Sequence, residues 1–115
     1  MASEEDVRRI CLSLPETIEK PYAGLPGFRV RGKLIARIRE KPDALVVLRP
    51  DIQEKEALIA AEPDKFFQTP HYEGHPAVLV HLEAVDFDEL TELLTESWLL
   101  NAPAKLVAAF ESRRQ

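Results

Sequence analysis

Apolar residues recur three and four positions apart in four segments of the chain, which predicts four amphipathic helices. The pattern is fullest in the third segment, at Leu90, Leu93, Leu94 and Trp98. Each segment begins with a residue that favours a helix N-terminus: Ser3, Asp51, Asp86 and Pro103. Pro15 and Pro63 follow the first two segments and should end those helices. We therefore expect one N-terminal helix, one central helix and a C-terminal pair.

Stretches bounded by turn residues, several with alternating apolar and polar positions, predict β-strands between the helices. The predicted strands are Phe28–Arg31, Leu34–Arg39, Ala44–Arg49 and Ala77–Leu82, with turns at Gly32–Lys33 and Lys41–Asp43. The first three strands should run antiparallel, because parallel strands need long crossover connections. The order α-β-β-β-α-β(-β)-α-α then predicts an α+β fold, an antiparallel β-sheet packed against helices on one side.

The apolar positions of these elements are expected to meet in a single core. The predicted members are Val30, Ala36, Ile38, Val46, Leu48, Val80, Leu90, Leu94 and Trp98. Trp98 belongs there because it lies on the apolar stripe of its helix. Tyr22 and Tyr72 fall in predicted loops instead, so they are the aromatic residues better placed to stack on a base.

The composition is that of an ordinary globular protein, with 45% apolar and 30% charged residues. At 115 residues we expect a single domain over residues 1–115. Cys11 is the only cysteine, which excludes an intrachain disulfide and disfavours a thiolate zinc site. The N-terminus lacks a signal-peptide pattern, and no apolar run approaches the ~20 residues of a membrane span. We expect a cytoplasmic protein with no membrane partner.

Positive charge is concentrated in one part of the chain. Seven of the fifteen Lys and Arg residues lie in Phe28–Arg49, which holds two acidic residues, although the whole chain carries a net charge of −5. Arg29 and Arg31 alternate with apolar residues, as do Arg37 and Arg39, so each strand should present its arginines on one face. Such a face either binds an anionic partner or is simply solvated.

Catalytic and metal-binding patterns are weak. His71 and His75 have a spacing that would suit two metal ligands on a helix, but Pro70, Gly74 and Pro76 make a helix there improbable. The serines lack a glycine-flanked nucleophile turn, and the glycines form no phosphate-binding loop. We therefore expect neither an enzyme nor a metal or cofactor site, and His71, His75 and His81 are interpreted as ordinary loop and strand residues.

The segment Glu19–Ala36, EKPYAGLPGFRVRGKLIA, resembles the G-x-P-x-F-R-V-x-G-K-x-F-A motif of the MmcQ/YjbR-like proteins. Ile35 replaces the usual aromatic residue. Further matches follow in order along the chain: Phe66, Phe67, Thr69, Pro70, Val78–Leu82, Glu96–Trp98, Ala102, Pro103, Lys105 and Leu106. Pro76 and Ala77 depart from the family pattern, where many members carry an aromatic residue. The resemblance implies a CyaY-like or secretion-chaperone-like α+β fold, and members are often described as DNA-binding.

Three hypotheses for function follow. The first is a small DNA-binding module, or a binder of another anionic partner, that uses a basic β-hairpin; its predicted contact residues are Arg29, Arg31, Lys33, Arg37 and Arg39. The second is a protein-interaction adaptor that binds an acidic partner through the same sheet face. The third is a small-molecule or metal-handling protein centred on His71, Tyr72 and His75.

Overall fold

The computed structural model describes residues 1–39 and 44–114, which form an α+β fold. The helices of this described part are α1 (Glu4–Ser13), α2 (Ile52–Ala61), α3 (Phe87–Asn101) and α4 (Ala104–Arg114). Its strands are β1 (Thr17–Glu19), β2 (Gly27–Val30), β3 (Lys33–Arg39), β4 (Ala44–Leu48), β5 (Phe66–Phe67) and β6 (Ala77–His81). The predicted fold class is confirmed. The turn predicted at Lys41–Asp43 lies outside the described residues.

Capping side chains start the first three helices as the sequence predicts. The Oγ of Ser3 accepts a hydrogen bond from the Asp6 backbone N–H at 3.2 Å, and the Asp6 carboxylate accepts one in return from the Ser3 N–H at 3.0 Å. Asp86 forms the same reciprocal box at α3, and Asp51 caps α2. These caps satisfy N–H groups that a helix start otherwise leaves without partners.

The strands form a six-stranded sheet in the order β1-β2-β3-β4-β6-β5, with every neighbouring pair antiparallel. Arg31 and Gly32 form the turn between β2 and β3, with φ of 49° and 83°. A two-residue hairpin turn of this type needs positive φ at both positions, which matches the twist of the strands. The predicted strand Phe28–Arg31 and the predicted turn Gly32–Lys33 are therefore each displaced by one residue: Arg31 is a turn residue, and Lys33 begins β3.

The helices cover one face of the sheet and form the main core with it. Trp98 is completely buried there; its Nε1–H donates to the carbonyl oxygen of Pro15 at 3.0 Å, and its ring centroid lies 4.9 Å from that of Phe110. Seven of the predicted core residues belong to this core: Val30, Ala36, Ile38, Val80, Leu90, Leu94 and Trp98. The predicted packing of helix α3 with strands β2, β3 and β6 in one core is confirmed.

Val46 and Leu48 were assigned to the wrong core. They belong to a second, smaller cluster on the opposite face of the sheet, whose other members are Ala44, Ala77, Leu79, Phe67 and Tyr72. Strand β4 is central, and its residues from Ala44 to Val47 are buried whichever way they point. A strand that is apolar on both sides carries no alternation, so its sequence does not show which residues face the helices.

Candidate functional site

The sheet face away from the helices carries three of the predicted arginines. Arg37 is paired with Val46 and Arg39 with Ala44, and partners in an antiparallel ladder project to the same side. Val46 and Ala44 both belong to the second cluster, so the two arginines lie on that face. Arg29 joins them because it follows Phe28, which points into the main core. We call the surface formed by Arg29, Arg37, Arg39, Tyr22 and Tyr72 the arginine face.

Two tyrosines hold the guanidinium of Arg37, which is half-buried. Its Cζ lies 4.6 Å from the ring centroid of Tyr22, a cation–π distance, and its Nη2 donates a hydrogen bond to the Tyr72 hydroxyl. Tyr22 also lies 5.9 Å from the Cζ of Arg29. The two loops that carry these tyrosines therefore position the charge of Arg37.

Tyr22 is fixed by the backbone around it. Its N–H donates to the Leu25 carbonyl at 2.7 Å and its own carbonyl accepts from the Leu25 N–H at 3.1 Å, closing a tight turn through Ala23 and Gly24. Gly27, the β2 partner of Arg37, has no side chain on the arginine face. A Cβ at Gly27 would lie 3.2 Å from the Tyr22 Cβ and 3.0 Å from the Lys20 carbonyl oxygen. Glycine at this position makes room for Tyr22 to lie beside Arg37.

Tyr72 is fixed by a buried lysine that the sequence did not reveal. Lys55 of α2 is 1% exposed, and its Nζ donates to the carbonyl oxygens of Tyr72 and His75 at 2.6 and 2.8 Å. Burial lowers the pKa of Lys55, while the charges of Glu56 and Glu73 act in the opposite direction. Flanked by Glu54 and Glu56, Lys55 looks in sequence like any residue of a solvated helix face.

Arg31 and Lys33 lie apart from the arginine face. Arg31, in the hairpin turn, forms a two-pronged ion pair with Glu16 whose second contact, Nη2 to Oε2, is 3.2 Å. This pair holds the pKa of the Glu16 carboxyl below its usual value. Lys33 is exposed and is paired with Val30, so the register directs it toward the helix side of the sheet. The structure thus brings together three of the five predicted contact residues.

The arginines differ in how their charge is neutralised. Arg8 forms ion pairs with three glutamates, and Arg49 is buried between Glu54 and Glu96. Among the residues that the structure describes, no carboxylate lies within ion-pair distance of Arg29 or Arg37. Arg29 donates instead to the carbonyl oxygen of Gly32 at 3.0 Å. Within residues 1–39 and 44–114, the charges of Arg29 and Arg37 are therefore not balanced by an ion pair.

Comparison with known proteins defines the family. A family model described as YjbR matches residues 12–100. The chain belongs to the YjbR family. Uncharacterized proteins of Mycobacterium bovis and Mycobacterium tuberculosis are 41% identical to it in alignments that cover 96% of each chain. The crystal structure of Deinococcus radiodurans protein DR2400, a DUF419 domain, resembles this YjbR protein with a TM-score of 0.73 and 28% identity. That match covers 87% of this chain and 78% of the other.

The histidines of this YjbR protein are divided between a loop and a strand. His71 and His75 are exposed, with ring centroids 6.4 Å apart, whereas the ring of His81 stacks on Phe67 at 4.1 Å. Within residues 1–39 and 44–114, no group of three or more His, Cys, Asp or Glu side chains is arranged to hold a metal ion. In the same ranges, no helix has the length and apolar character needed to cross a membrane.

Proposed function

We propose that this protein binds nucleic acid by contacting phosphates with the arginine face. The observation that carries the proposal is the pair of half-buried arginines, Arg29 and Arg37, whose guanidiniums lie beside tyrosines and are neutralised by no described carboxylate. A guanidinium offers planar, forked N–H donors that match two oxygens of one phosphate. Arg39 adds a third positive charge on the same face.

The electrostatics of the whole chain set the expected strength of binding. The net charge is −5, so the chain as a whole repels a polyanion at long range, and binding depends on the local basic surface. Phosphate contacts position a protein without reading sequence, so little sequence preference is expected. Three phosphate contacts on duplex DNA correspond to a log–log salt slope of about −2.7.

Substitution of the arginine face tests the proposal. A triple variant with Arg29→Ser, Arg37→Ser and Arg39→Ser should lose the binding of fluorescently labelled oligonucleotides at low salt. A matched control removes three exposed positive charges elsewhere: Arg9→Ser, Lys105→Ser and Arg113→Ser. The control has the same net charge as the triple variant but an intact arginine face. It should therefore keep most of the affinity.

The hairpin tip provides a second comparison. Arg31→Ser together with Lys33→Ser should weaken binding less than the triple variant, since Arg31 is paired with Glu16 and Lys33 projects away from the arginine face. If wild-type protein binds neither duplex nor single strands at low salt, the nucleic-acid proposal is wrong. An acidic protein would then be the partner to seek for the same face.

A further inference from the structure

We infer that the arginine face binds unpaired bases, with Tyr22 as the platform on which a base stacks, and that the preferred ligand is single-stranded nucleic acid. This inference rests on the proposed function and specifies its ligand. It starts from Tyr22, an aromatic residue that remains 39% exposed beside Arg29 and Arg37.

The position of Tyr22 is more closely defined than that of an ordinary loop side chain. The Tyr22–Leu25 hydrogen bonds fix its backbone, the guanidinium of Arg37 lies on its ring, and Gly27 leaves the space beside its Cβ. A ring ordered in the free protein loses little conformational entropy when a ligand binds. These contacts therefore pre-organise an exposed aromatic surface next to phosphate-binding side chains.

A base that stacks on Tyr22 would complete a layered arrangement of guanidinium, phenol ring and base. Aromatic stacking is tolerant of base identity, because every base has a π-face. The neighbouring Arg29 and Arg37 remain within reach of the backbone of the same strand. A platform flanked by cationic side chains is how proteins that bind single strands combine stacking with phosphate contacts.

Tyr72 has a different role from Tyr22. Its hydroxyl accepts a hydrogen bond from Arg37, its carbonyl accepts one from Lys55, and its ring packs against the second cluster. Tyr72 therefore acts by positioning Arg37, whereas Tyr22 both contacts Arg37 and presents an exposed ring, which makes Tyr22 the stacking residue.

The preference for single strands follows from access to the base. In a duplex each base is stacked between its neighbours and offers only its edge to the grooves, so Tyr22 cannot cover its face. Duplex phosphates remain available to the arginines. The protein should therefore bind a duplex with the affinity that phosphate contacts alone provide, and it should bind single strands more tightly.

Abasic oligonucleotides separate stacking from phosphate contacts. A single strand and an abasic strand of the same length have the same number of phosphates, but the second has no bases. Wild-type protein should bind the base-bearing strand about 5- to 150-fold more tightly, the range that one stacked base provides. Tyr22→Leu should remove that preference by lowering the affinity for the base-bearing strand far more than the affinity for the abasic strand, because Tyr72 still holds Arg37 in the variant.

Two controls complete the design. Tyr22→Phe keeps the ring and should bind as the wild type does, which shows that the hydroxyl is dispensable. The salt slope should be the same for Tyr22→Leu and the wild type, because the slope counts phosphate contacts. An unchanged urea midpoint for Tyr22→Leu checks that the fold is intact.

The outcomes distinguish the inference from the proposed function. Equal affinity of the wild type for the two strands, with loss of binding in the triple arginine variant, would refute stacking and leave the proposed function standing. If Tyr22→Leu weakens both strands equally, Tyr22 only positions Arg37 and the inference is again wrong. If the wild type binds none of the oligonucleotides, both the stacking inference and the proposed function are wrong.

Discussion

Replacing Lys55 with Met should release the loop that carries Tyr72 while retaining most of the buried aliphatic chain. The ammonium of Lys55 donates to two carbonyl oxygens in that loop, those of Tyr72 and His75. Hydrogen bonds from charged donors contribute about 1.5–3 kcal/mol each. His75 is exposed, so water can replace one of these bonds, and Met avoids the desolvation that lowers the pKa of Lys55. The net loss of stability should be about 1–3 kcal/mol.

Urea unfolding followed by far-UV circular dichroism measures this loss, and hydrogen exchange locates it. The amides of residues 71–75 should exchange faster in Lys55→Met than in the wild type, whereas the amides of β3 and β4 should exchange as slowly as they do in the wild type. Lys105→Met, at an exposed position of α4, is the matched control and should change neither measurement. The account of Lys55 is wrong if the variant unfolds at the wild-type midpoint with an equally protected loop.

Three further predictions concern the core and its surroundings. Trp98→Ala should lower the free energy of unfolding by about 3–5 kcal/mol, because a fully buried indole is removed; an unchanged urea midpoint would contradict this. Burial raises the pKa of Cys11 to about 12, so native protein at mildly alkaline pH should react with a thiol reagent only after denaturant is added. The hydrogen bond from Lys65 holds the pKa of the Glu89 carboxyl below its usual value, so the carboxylate stabilises the fold at neutral pH and this contribution is lost as the pH falls into the acid range. Glu89→Gln should therefore lower the thermal midpoint at neutral pH and leave it unchanged in strong acid.

The elements that the sequence predicted best are those governed by local rules. Ser3, Asp51 and Asp86 identified helix starts because capping involves residues three positions apart. The alternation of Arg37 with Ala36 and Ile38 identified a two-sided strand, and the structure places its apolar side in the core.

The parts that escaped prediction depend on residues distant in the chain. Lys55 is buried by a loop about twenty residues away in the chain. Arg49, which follows β4, is neutralised partly by Glu96 of α3, 47 residues away. Strand β1 has three residues, too few for a periodic pattern to be visible. The relation between Tyr22 and Gly27 arises only when β2 pairs with β3 and places Gly27 opposite Arg37.

The most direct test of the central claim is the salt dependence of binding to a single-stranded oligonucleotide, compared between the wild type and the Arg29, Arg37 and Arg39 triple serine variant. Three phosphate contacts on a single strand predict a log–log slope of about −2.1 for the wild type. The triple variant should lose binding, and any residual binding should have a slope near zero, whereas the Arg9, Lys105 and Arg113 control should keep the wild-type slope. Equal slopes for the wild type and the triple variant would show that the arginine face does not contact phosphates, and would contradict the account.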